Sequence, residues 1–178
     1  MYPKMNNRSI RPVDLTFKGR MLVFEYETDA FYEPVMENWE IGLIRRPLSQ
    51  KVEKRFTDTL FSDWLEEPAV FAAYEEERWI GCVEMSHERW NNRMRISNLL
   101  VEKTHRGKGV GRQLFDKAVS YAKEKGARML VLETQTCNAP AIDFYLAMGL
   151  RPIGLDLYSY SNQDPEQNEV RLEMGMPL

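Results

Sequence analysis

The sequence is poor in the residues that form metal centres and disulfide frameworks. It contains two histidines and two cysteines among 178 residues, and Cys82 and Cys137 have neither metal-ligand spacing nor a disulfide pattern. No apolar run is long enough to span a bilayer, and the N-terminal stretch lacks the apolar core of a signal peptide. These absences predict a soluble, reduced, cytoplasmic protein that holds no metal.

A strong excess of charge of one sign is also missing. The net charge is −3, which gives no general attraction to nucleic acid or to an acidic membrane surface. Apolar residues make up 43% of the chain, enough for a sizeable core, and the length fits one domain over residues 1–178. We therefore expect no nucleic-acid or membrane partner, while a monomer and a homodimer both stay open.

The first half of the chain predicts an antiparallel meander preceded by a helix. The N-terminal dozen residues look loosely ordered, and residues 33–49 look irregular because prolines interrupt them. Apolar residues then recur every four positions, which predicts a helix over residues 50–65; they are Val52, Phe56, Leu60 and Trp64. Strands are predicted at residues 21–26, 69–74, 79–85 and 94–102.

The second half alternates helices and strands, which makes the fold class a mixed α/β sheet with flanking helices. A helix is predicted from Val110 to Lys125, with Gly126 as its left-handed stop. A second helix begins after Asn138, a good N-cap, and runs to Met148. Strands are predicted at residues 128–133, 152–159 and 170–176.

A glycine-rich turn, Arg106 to Gly111, joins the last strand of the meander to the first of these helices. Glycines let the backbone approach a ligand, and the free N–H groups and dipole of the helix attract a phosphate. Arg106, Lys108 and Arg112 add positive charge. The spacing Gly107-x-Gly109-x-Gly111 fits neither the dinucleotide fingerprint nor the Walker A loop. The turn therefore predicts a phosphate site of another kind.

The turn and the strand before it resemble the acetyl-CoA motif of the GNAT N-acetyltransferases. The pattern [R/Q]-x-x-G-x-[G/A] is matched by Arg106, Gly109 and Gly111. The resemblance implies acetyl-CoA as cosubstrate, with its pyrophosphate on the N–H groups of the turn, which runs through Gly107, Lys108 and Val110. It implies that the strand Leu99-Leu100-Val101 pairs with pantetheine and that one of its amides holds the thioester carbonyl. It also implies a sheet of about seven strands, with a bulge that splays the central parallel pair.

A second motif follows in the order of that family: Asn138, then Phe144-Tyr145, then Gly149. The resemblance implies that Asn138 contacts the coenzyme arm and that Tyr145 gives its proton to the leaving thiolate. An attacking amine must be neutral, so a base is also needed. Glu84 and Glu133 are the candidates, either as a base or as a holder of the cationic amine, with His87 as a third.

The segment from Leu132 onward is similar to the streptothricin acetyltransferases, which acetylate a β-lysine amino group of an antibiotic. An acidic pair precedes the Leu-x-Val segment in that family, whereas Ser97 and Asn98 stand here. We take Ser97, Asn98 and Tyr158 as candidate substrate-binding residues. The acceptor is expected to be a small-molecule amine, and the alternatives are a protein lysine or N-terminal amine, or an acyl-CoA sensor without catalysis.

Overall fold

The computed structural model describes residues 8–178. A seven-stranded mixed sheet has the order β1-β4-β5-β6-β7-β9-β8, and β2 pairs with β3 in a separate two-stranded sheet. The strands are β1 Arg8–Val13, β2 Met21–Glu37, β3 Glu40–Thr59, β4 Ala69–Glu75, β5 Arg78–Glu88, β6 Arg93–Val101, β7 Met129–Gln135, β8 Arg151–Asp156 and β9 Arg171–Pro177. The helices are α1 Val110–Glu124 and α2 Ala139–Ala147, with single 3₁₀ turns at Leu15–Phe17 and Lys103–His105. The mixed sheet with a parallel pair, β6 and β7, confirms the predicted fold class.

The chain divides into two compact units. Unit 1 comprises residues 1–24, 57–130 and 177–178, and unit 2 comprises residues 25–56 and 131–176. The single domain over residues 1–178 stays a prediction.

Unit 1 has a core on each face of its strands. On one face α1 packs over β4, β5 and β6, burying among others Leu114 and Ala118, as its period predicted. The approach is close at Gly81 of β5, where a Cβ atom would lie 3.2 Å from Leu114 Cδ1 of α1 and 2.5 Å from the carbonyl oxygen of Leu100 in β6. The other face packs against a second apolar cluster, which contains Leu22, Leu60, Phe61, Val70, Ala72 and Cys82.

Contacts between residues 25–56 and residues 131–176 hold unit 2 together. The Tyr32 N–H donates to the carbonyl of Thr136 at 2.9 Å, and the Tyr32 hydroxyl donates to Asp143 at 2.6 Å. Lys54 donates to Glu169 at 2.5 Å. The middle of the two-stranded sheet is thereby fixed to the elements that carry the second predicted motif.

The helix predicted over residues 50–65 is wrong, and so is the irregular stretch at residues 33–49. Residues 33–37 belong to β2 and residues 40–59 to β3, which form one long hairpin, and residues 60–65 form turns after it. A spacing of four residues fits a strand as well as a helix, because four is also a multiple of the strand period of two. Ion pairs Lys51–Glu27 at 2.6 Å and Arg55–Glu25 at 3.2 Å join β3 to β2.

The hairpin turns through only two residues. Asn38 and Trp39 both have positive φ, +49° and +68°, which is the geometry of a type I′ turn. The indole of Trp39 is fully exposed.

Three smaller expectations have clear outcomes. Residues 8–12 are not loose, because they belong to β1 and pair with β4; residues 1–7 lie outside the described part of the chain. β8 ends at Asp156, earlier than predicted, so Tyr158 stands in a turn. Between residues 8 and 178, no helix has the length and apolar character that crossing a membrane requires.

Candidate functional site

The glycine turn has the backbone that a phosphate cradle needs. Gly107 and Gly109 have φ of +71° and +83°, a region that disfavours residues with a Cβ. No other atom lies within 4 Å of the Cβ position at either residue, so the turn faces open space. Gly109 is the N-cap of α1, and the first N–H groups of the helix beyond it have no acceptor within the helix. Backbone conformation, space and donors therefore fit an anion.

A group of side chains from β1, β4 and the 3₁₀ turn anchors this cradle. Arg8 donates to the carbonyl of Lys108 at 2.8 Å and to Glu75 at 2.9 Å. The buried His105, just before the turn, contacts the same Glu75 at 3.2 Å. The Arg8 guanidinium, with His105, keeps the pKa of the Glu75 carboxyl below its usual range. Since Arg8 and Lys108 are far apart in sequence, sequence reasoning missed this anchor.

The three basic residues predicted around the turn are all exposed: Arg106, Lys108 and Arg112. Arg106 also donates from Nε to the carbonyl of Val101 at 3.1 Å, which ties the turn to the end of β6. Positive charge beside unpaired helix N–H groups gives an electrostatic field suited to a pyrophosphate.

The strand before the turn carries the bulge that the resemblance implied. β5 and β6 pair Glu84 with Asn98 and Met85 with Ile96, so Ser97 is the extra residue on β6. The expected bulge is confirmed, and it immediately precedes Leu99, Leu100 and Val101. The splay of the central strands stays a prediction.

Glu84, Ser97 and Asn98 form one hydrogen-bonded cluster at the bulge. The Glu84 side chain is 0% exposed. Its Oε2 accepts from Asn98 Nδ2 at 2.8 Å and from Ser97 Oγ at 3.2 Å. Its Oε1 accepts from the backbone N–H of Phe61 at 2.6 Å. The structure thus brings together one catalytic candidate and two substrate-binding candidates, with Phe61 as a partner that the sequence did not indicate.

The second motif lies in unit 2, at the start and on the face of α2. Asn138 is its N-cap and accepts from the Ala141 N–H at 3.3 Å, as predicted. Tyr145 is half-buried beside Phe144, with ring centroids 5.5 Å apart. Burial raises the pKa of the Tyr145 phenol to about 12, so the phenol keeps its proton at neutral pH and could serve as an acid.

Glu133 has a different environment from Glu84. It is exposed at the surface, accepts from the Tyr160 hydroxyl at 2.8 Å and pairs with Arg171 at 2.8 Å. Burial, followed by the hydrogen bond to Glu133, raises the pKa of the Tyr160 phenol. Tyr158 is exposed, and its backbone N–H donates to Asp156 Oδ1 at 3.1 Å. Arg171 was not singled out by the sequence.

Unit 2 also contains a groove of about 470 Å³. Its walls are the start of β3, the strand β8 and the start of β9. The lining residues are Ile41, Gly42, Leu43, Pro152, Ile153, Gly154, Leu155 and Leu172.

Comparison with known proteins agrees with this geometry. The sequence profile of the Acetyltransferase (GNAT) family matches residues 28–150. A streptothricin acetyltransferase of Streptomyces lavendulae is 42% identical over 54% of this chain, a match that spans only 51% of that enzyme. Streptothricin acetyltransferase A of Bacillus subtilis is 30% identical over 86% of this chain and 83% of its own length. The crystal structure of nourseothricin acetyltransferase superposes with a TM-score of 0.76 at 30% identity, covering 96% of this chain and 98% of the other.

Proposed function

This chain belongs to the acetyltransferase (GNAT) family, and from that premise we propose that it transfers the acetyl group of acetyl-CoA to a primary amine of a cationic small molecule. The observation that carries the proposal is the open, anchored glycine turn next to a bulged strand. The first feature suits a pyrophosphate, and the second suits a thioester carbonyl.

The donor is held by the backbone in this proposal. The free N–H groups at the start of α1 bind the pyrophosphate of the coenzyme, and Arg106, Lys108 and Arg112 add charge. The strand Leu99-Leu100-Val101 pairs with pantetheine. A fixed N–H on that strand accepts the negative charge that develops on the thioester oxygen.

The reaction needs one base and one acid. The amine loses a proton, attacks the thioester carbon and forms the C–N bond, after which the C–S bond breaks and the thiolate takes a proton. Tyr145, whose pKa of about 12 keeps it protonated, gives that proton. Of the two carboxylate candidates, Glu133 is exposed and Glu84 is fully buried. We therefore assign the removal of the amine's proton to Glu133, whose side chain is held in position by Tyr160 and Arg171.

The charge of unit 2 supports a cationic acceptor. Its residues include fourteen acidic and seven basic side chains, a formal charge of −7, whereas unit 1 has a formal charge of +4. Such a field raises the local concentration of a cation. The streptothricin acetyltransferases among the relatives act on an amine-bearing antibiotic, so a streptothricin-type amine is the first acceptor to test.

Ser97 and Asn98, where that family has an acidic pair, both donate to Glu84. Their contacts therefore support a structural role in this chain, and the acceptor would be recognised by other residues. This difference is the reason to test several amines.

The experiment is release of free thiol from acetyl-CoA with a panel of amines: streptothricin, polyamines, amino acids and a lysine peptide. We expect turnover with a cationic small molecule and little with the peptide. The Tyr145→Phe variant serves as the background control. Turnover of the peptide alone would favour a protein acetyltransferase, and tight coenzyme binding without turnover of any amine would favour a sensor.

A further inference from the structure

We propose that Glu84 is a positioning residue whose carboxylate locks the β6 bulge, and through it the backbone at Leu99 that faces the thioester. This inference rests on the proposed function for the identity of the ligand, although the lock itself is a property of the free protein. It assigns Glu84 a role other than proton transfer.

The burial of the carboxylate is the first argument. At 0% exposure, the Glu84 side chain is out of reach of an acceptor amine in this arrangement. A carboxylate without water must be satisfied by protein donors, and three donors converge on it from two other segments: Phe61, Ser97 and Asn98. Both oxygens are therefore already engaged.

The location of those donors is the second argument. Ser97 is the bulged residue itself, and Asn98 is the residue paired with Glu84 across the strands. A bulge leaves one residue outside the regular ladder. The contact of Glu84 with the side chains of both residues fixes the twist with which β6 continues to Leu99.

The third argument is the conformation of Phe61. This buried aromatic residue has φ of +57°, which is unfavourable for a residue with a bulky side chain. In that conformation its N–H points at Glu84 Oε1. Glu84 thus joins the segment that follows β3 to the bulge of β6, within unit 1.

The test exchanges donor and acceptor within the cluster. In Glu84→Gln one carboxylate oxygen becomes an NH₂ group that faces the donors Ser97 and Asn98. In the double variant Glu84→Gln/Asn98→Asp the new NH₂ group donates to the new carboxylate, while the glutamine oxygen still accepts from Phe61. Glu88→Gln, at a half-buried carboxylate on the same strand paired with Arg93 and Arg95, is the matched control.

The primary measurement is hydrogen–deuterium exchange of the free protein. We expect Glu84→Gln to speed exchange of the amides at residues 97–101 at least about tenfold, as a loss of some 1.4 kcal/mol would, and the double variant to restore it. Glu88→Gln should leave these amides unchanged. Unchanged exchange in Glu84→Gln would overturn the proposal, whether or not the protein proves to be an acetyltransferase.

Kinetics then separate positioning from base catalysis. If Glu84→Gln displaces β6, its kcat should be about 10²-fold lower than that of the wild type. The acid limb of the pH–rate profile should be retained, and the double variant should recover most of kcat. The affinity for acetyl-CoA should fall relative to that for coenzyme A, which has no thioester carbonyl. Loss of the acid limb together with failure of the double variant would make Glu84 the base and overturn the positioning role.

Discussion

Replacing Gly109 with valine perturbs the glycine turn at the residue that caps α1. Gly109 has φ of +83° with no atom near its Cβ position, so the substitution strains the backbone without a clash in the free protein. A left-handed residue costs about 1–2 kcal/mol. For a chain of this size that corresponds to a fall in Tm of about 2–8 °C, and the variant should still fold.

The effect on coenzyme binding should be far larger than the effect on stability. The valine side chain would occupy the space in front of the first N–H groups of α1, where we place the pyrophosphate. Binding of acetyl-CoA, measured by calorimetry, should weaken by more than about 10²-fold, equivalent to about 2.7 kcal/mol.

Gly126 provides a matched control at the opposite end of the same helix. It also has positive φ, +70°, and no atom within 4 Å of its Cβ position. Gly126→Val should therefore lower Tm by a similar amount and leave the affinity for acetyl-CoA unchanged. Equal affinity in the two variants, weakened or not, would refute the phosphate cradle.

Further outcomes are expected at other residues. Tyr145→Phe should lower kcat by about 10²–10⁴-fold with little change in the affinity for acetyl-CoA. A general acid works only below its pKa, which is about 12 for the Tyr145 phenol. Ionisation of this phenol should therefore not lower the kcat of the wild type up to about pH 10. Arg8→Ala removes the anchor on Lys108 and should raise the KM for acetyl-CoA about tenfold, whereas Arg11→Ala, on the same strand, should not; equal KM values would contradict the anchor. The KM of a cationic acceptor should rise when ionic strength goes from about 0.01 to about 1 M, which shortens the Debye length from about 30 to about 3 Å, and a constant KM would argue against steering by charge. Trp39→Gly should raise the free energy of unfolding in urea by up to about 1 kcal/mol, because glycine suits both φ > 0 positions of the turn; a decrease would show that the indole stabilises the fold.

The sequence predicted those elements whose signals are local. The helix after the glycine turn, the cap at Asn138 and the strand that contains Leu130 all follow from periodicity and capping residues within about fifteen positions. The structure places these elements within a few residues of the prediction.

The long hairpin was missed because its signal is ambiguous. Val52 and Phe56 share a face in either a helix or a strand, and the position between them on a strand is Lys54, a charged residue that breaks the apolar pattern. The structure shows why a charge is tolerated there, since Lys54 pairs with Glu169. Such a pairing links residues more than a hundred positions apart, and no local pattern contains it.

The candidate site also combines features that are visible in the sequence with contacts that only the structure shows. The turn and the second motif were recognisable because their residues are contiguous. The anchor at Arg8 and the contact of Phe61 with Glu84 join distant segments, so only the folded chain reveals that Glu84 is sealed while Glu133 stays exposed.

The turn at the tip of the hairpin bears on the evolution of this chain. Tryptophan is poorly suited to a left-handed turn position, and the exposed indole of Trp39 gains nothing from burial. A codon for glycine, which would suit that position, is a single base change away from the tryptophan codon. Natural proteins lie above a stability threshold and not at a stability optimum, so selection has had no need to replace a residue that suits this turn poorly, and the tip of the hairpin is a place where the fold tolerates a change of residue.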